Sequence, residues 1–96
     1  MRLKPDQAEF IKATIARYFG VDAQVWLFGS RVDDAKRGGD VDLFVQPGGP
    51  VDRFKLRLNC QSDLEEGLPY PVDLVVEEAG RDLAIYRVAR NEGVLL

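Results

Sequence analysis

Between Val25 and Val45 the chain reads VWLFGSRVDDAKRGGDVDLFV, and no other stretch restricts its fold as strongly. Val25 to Phe28 is a run of β-branched, aromatic and aliphatic residues that suits a buried strand. Gly29-Ser30 ends it. A strand that stops at Gly-Ser and turns toward a short helix leaves backbone N–H groups aimed above the turn. Such a nest favours an anion, and the small side chains let a phosphate approach the backbone. From Asp40 to Val45 the pattern alternates, so Asp40 and Asp42 share one strand face while Val41, Leu43 and Val45 share the other. Two carboxylates on one face, roughly 6–7 Å apart at their origins, converge on a hard divalent cation if that face is open. The same spacing also describes the solvent face of a half-exposed strand. The Gly-Ser turn ahead of it favours the metal reading.

The flanking sequence supplies the layers such a unit needs. Pro5-Asp6 opens a helix, and the acid suits the positive end of its dipole. Ala8, Ile11, Ile15, Tyr18 and Phe19 recur at three- and four-residue spacing before Gly20 stops the pattern. Gln46-Pro47-Gly48-Gly49-Pro50 is a loop. A second helix is expected from Val51 to about Leu64. Phe54 with Leu58, and Leu56 with Cys60 and Leu64, give it an apolar arc broad enough for deep burial or for a partner protein. After a turn at Gly67 to Pro71, Val72-Asp73-Leu74-Val75-Val76 is a strand with one acid in an apolar run. A buried carboxylate there is costly unless paired or bound to metal, whereas an Asp at a strand edge can cap the turn at Pro71. A last helix is expected to start near Arg81, with Leu83, Ile85, Tyr86, Val88 and Ala89 on its apolar side. Val94-Leu95-Leu96 is apolar, with nothing to choose between docking on this domain and docking on a partner. The expected order is α–β–(short α)–β–α–β–α, a small mixed sheet flanked by helices of the α/β (α+β) class. Residues 1–96 form a single domain.

The chemistry open to this chain is narrow. It has no His and one cysteine, Cys60, so zinc sites of the Cys/His kind and His-based catalysis are excluded, as is an internal disulfide. Carboxylates, a bound metal, or Ser, Lys, Arg and Tyr groups are left. A net charge of −3 argues against direct DNA binding. No apolar run nears the ~18 residues of a membrane span and no signal peptide opens the chain, which points to the cytoplasm. Trp26 reads as core, Cys60 as a small core residue, and Arg53, Lys55 and Arg57 as a solvated helix edge. Arg87 and Arg90 suit the C-terminal dipole of the last helix.

A Gly-Ser turn followed at this distance by Asp-x-Asp on a strand resembles the nucleotidyltransferase superfamily related to DNA polymerase β. The short length is similar to its minimal nucleotidyltransferase branch, whose members are often paired with a HEPN-domain protein in toxin–antitoxin modules. The likeness extends to Asp73 and to a closing helix ending Arg-x-Ala-x-x-Glu-Gly-Val-Leu. The resemblance implies that Asp40, Asp42 and Asp73 hold one or two Mg²⁺ ions. Asp73, as the third carboxylate, would help activate the attacking hydroxyl. It also implies that Gly29, Ser30 and Arg31 meet the phosphates of ATP or another nucleoside triphosphate. Asp33 and Asp34 depart from the basic connection that the family often has; Lys36 and Arg37 follow in the loop. The expected activity is AMP transfer from ATP to a hydroxyl, with a tyrosine of a HEPN ribonuclease toxin as acceptor. The alternatives are neutralisation of that partner by contact alone, and nucleotidylation of a small molecule.

Overall fold

In the computed structural model, residues 3–29, 39–49 and 52–96 are described; the short helix expected after Gly29, with Ser30, Arg31, Asp33, Asp34, Lys36 and Arg37, lies outside them. Helix α1 (Pro5–Phe19) begins where expected, with the Gln7 side chain accepting from the Lys4 N–H at 3.0 Å. It ends at Gly20, which donates its N–H to the Ala16 carbonyl and, with φ at 104°, turns the chain out of the helix. Strand β1 (Gln24–Phe28) pairs antiparallel with β2 (Val41–Gln46). Helix α2 (Arg53–Gly67) then crosses to β3 (Val72–Val76), which lies parallel to β2. Helix α3 (Ala84–Glu92) leads into β4 (Val94–Leu95), antiparallel to β1. The four-stranded mixed sheet has the order β3-β2-β1-β4, and the fold is α+β.

The period-2 reading of the strands decides the layers. Val25 and Leu27, Val41, Leu43 and Val45, and Val72, Leu74 and Val76 face one side, where Ile11, Ile15 and Phe19 of α1 and Cys60 and Leu64 of α2 close over them. Burying each of these side chains contributes about 1.5–3 kcal/mol. Across the α1–α2 seam, Asp63 accepts from the Tyr18 hydroxyl and pairs with Arg17 at 3.0 Å. The other face carries a smaller core. Phe44 is fully buried there between Trp26, at a ring-centroid distance of 5.4 Å, and Tyr86 of α3, at 5.2 Å. Trp26 is half-buried and packs against this smaller core rather than lying within it.

Four expectations change. β4 was not foreseen; the C-terminal apolar residues dock on this domain itself, with the Leu96 N–H donating to Val25 O at 2.9 Å. Gly93 makes this possible, because a Cβ there would run into the Ala89 and Leu27 carbonyls. α2 extends past Leu64 to Gly67, and α3 begins at Ala84 rather than near Arg81. A turn from Glu78 to Arg81, with Gly80 at φ 81°, and an extended Leu83 delay its start. Finally, the apolar arcs are only partly buried. Phe54 and Leu58 stay 68% and 50% exposed on α2, Ile85 and Val88 39% and 42% on α3.

Candidate active site

Strand register brings two of the candidate acids side by side. Asp42 is the Cα partner of Asp73 on one flank and of Phe28 on the other. Registered neighbours in a sheet project to the same face, and adjacent strands lie about 4.8 Å apart. The row Phe28–Asp42–Asp73 therefore lies on the face that α3 covers. Its buried core there is Phe44, Tyr86 and Ala89, one row further along β2. Asp42 is half-buried and Asp73 exposed. The burial cost expected for Asp73 does not arise, because β3 is an edge strand. Asp40 is also displaced from its expected place inside the strand: it is exposed and lies one residue before β2.

Their charges act on one another. Burial pushes the carboxyl of Asp42 above its ordinary pKa, and the charges of Asp73 and then Asp40 push it the same way. Among the described residues no cation pairs with any of the three. Among the described residues this acidic cluster is unpaired and offers oxygen donors only, the set that hard cations such as Mg²⁺ prefer. As the side chains stand, no group of three His, Cys, Asp or Glu residues among those described is placed to hold an ion. The donors fit in kind, and the Asp73 side chain has room to turn.

Gly29 supports the cluster from β1. It follows Phe28 with φ 76°, a conformation L side chains rarely adopt, and an added Cβ would collide with the Asp42 carboxylate. The strand-ending glycine thus gives Asp42 its space, a role its sequence setting did not reveal. Ser30 and Arg31, the other expected phosphate ligands, lie outside the described residues.

Sequence reading also missed a residue behind the site. Arg90 is more than a dipole partner at the end of α3. Its guanidinium lies 5.0 Å from the Phe44 ring centroid and 5.8 Å from that of Trp26, and it pairs with Glu77 just beyond β3. The signal was the aromatic pair one row from Asp42, with an acid placed just past the third strand. Arg87 pairs instead with Asp82, at 3.5 Å, ahead of α3.

Among the described residues, no helix is long and apolar enough to cross a membrane. A comparison with curated proteins finds no match. The model of the family described as "Polymerase beta, Nucleotidyltransferase" matches residues 9–96, a span that takes in the whole sheet, all three acids and α3. With a strand-ending glycine beside Asp42, and Asp73 in register with it, the chain belongs to the polymerase β nucleotidyltransferase family, a family of transferases.

Proposed function

We propose that this protein is a Mg²⁺-dependent nucleotidyltransferase that moves AMP from ATP to a hydroxyl. The observation that carries this reading is the row of Asp42 and Asp73, with Asp40 alongside, unpaired among the described residues and next to a glycine at positive φ. Asp40, Asp42 and Asp73 would hold the metal, with Gly29, Ser30 and Arg31 on the phosphate side. Bound there, Mg²⁺ supplies positive charge to the triphosphate and to the departing pyrophosphate. Asp73 takes the proton of the acceptor hydroxyl, with no His in the chain to compete for that role. The hydroxyl oxygen bonds to the α-phosphorus as the bond to the β-phosphate oxygen breaks and pyrophosphate leaves.

The acceptor we infer is a tyrosine on a helical partner of the HEPN type, a ribonuclease toxin silenced by AMP addition in the cytoplasm. Ile85 and Val88 stand exposed on α3, on the same side of the sheet as the carboxylates. A partner docked there brings its hydroxyl to the acidic row. The test is transfer of label from ATP labelled at the α-phosphate to the partner protein, with Mg²⁺ present. The reading expects labelled partner with the wild type and none with Asp40→Ala/Asp42→Ala. A partner neutralised equally by both proteins, without label, overturns it in favour of contact alone.

A further inference from the structure

Helix α2 is built against its own dipole. Lys55 and Arg57 lie in its first turns and Asp63, Glu65 and Glu66 in its last, whereas helix stability favours the reverse. Buried Cys60 and Leu64 fix which side meets the sheet. On the opposite side Phe54, Lys55, Leu58, Asn59, Ser62, Glu65 and Glu66 are all exposed. At 100° per residue, Leu58 and Ser62 run down the middle of that stripe. Lys55, Asn59 and Glu66 form one flank, Phe54 and Glu65 the other.

Such a stripe is complementary to itself when turned end for end. In an antiparallel helix pair related by a two-fold axis, like flanks meet. Lys55 of one copy then comes opposite Glu66 of the other, twice over. Leu58 packs over Ser62 near the axis, where a small side chain admits close approach. Phe54 lies along the stem of the other copy's Glu65. Among the described residues, neither Lys55 nor Glu66 has a salt-bridge partner within its own chain. We propose that α2 is a homodimer interface, in which a second copy of this chain covers Phe54 and Leu58 in antiparallel register. The helix is 15 residues long, about 22 Å, so the contact is at the small end of specific interfaces and the dimer is weak and salt-sensitive.

The interface lies on the face of the sheet away from the acidic row, so its test is independent of nucleotidyl transfer. Sedimentation equilibrium of the full chain at low salt is expected to show a concentration-dependent dimer. Lys55→Glu and Glu66→Lys should each weaken it by at least about tenfold, and the double variant should restore it. Residues 55 and 66 lie about 16 Å apart along one helix, so a rescue of this kind is intermolecular. A wild type that stays monomeric to about 1 mM overturns the proposal. So does a dimer indifferent to both charge changes, or a monomer that uses Phe54 and Leu58 only to bind a different protein.

Discussion

Asp42 works against the stability of the fold it sits in. Its burial and the nearby charges of Asp73 and Asp40 disfavour the carboxylate, so its pKa is higher in the folded chain than in the unfolded one. The folded state therefore binds the proton more tightly. The resulting stability is fully present below the unfolded pKa near 4 and is lost as pH rises through the raised folded value. Asp42→Asn removes the penalty and should raise Tm at pH 7 by about 2–4 °C, a modest gain because Asp42 is partly solvated. The gain should vanish below about pH 4. Mg²⁺ should raise the Tm of the wild type and leave that of the variant unchanged. Calorimetry at the two pH values, with and without Mg²⁺, checks both; a gain that persists unchanged in acid contradicts the electrostatic account. Asp42, Asp73 and Gly29 were legible in the sequence because alternation and a strand-ending glycine are local signals. The collision that makes Gly29 necessary depends on β1–β2 register, which no local signal carries.

At the scale of elements, periodicity was a sound guide wherever one face is buried. It located α1 and the three longer strands to within a residue or two, and β2 shows why: Val41, Leu43 and Val45 are all buried on a single face. It was weaker for α2 and α3, whose apolar residues spread further round the helix than the four-stranded sheet can cover. β4, two residues long, has no period to read. α3 is held on the sheet chiefly by Tyr86, Ala89 and Arg90. The Tyr86 hydroxyl accepts from the Glu78 N–H at 3.1 Å while its ring stacks on Phe44. Arg90→Ala should cost about 1–3 kcal/mol in urea unfolding, since it strands Glu77 and uncovers two rings. Arg90→Lys should recover only part of that loss, because an ammonium does not stack as a planar guanidinium does. Full recovery with Lys would show that charge alone matters there.

Seen whole, the molecule divides its two faces by task. One face of the sheet holds the larger core beneath α1 and α2; the other holds the acidic row and the smaller aromatic core beneath α3. Cys60 fits the structural side of that division, buried, with its thiol pushed up to about 12 chiefly by desolvation. The other side presents oxygen donors, a glycine at positive φ and two exposed apolar residues of α3, Ile85 and Val88. In the proposed reaction a nucleotide and a second molecule carrying the hydroxyl meet there. The most direct test is intact-mass spectrometry of the proposed HEPN-type partner after co-expression with the wild type and with Asp42→Asn. The account predicts a partner heavier by one or more AMP units with the wild type and unmodified with the variant. An unmodified partner that co-purifies with both would contradict it.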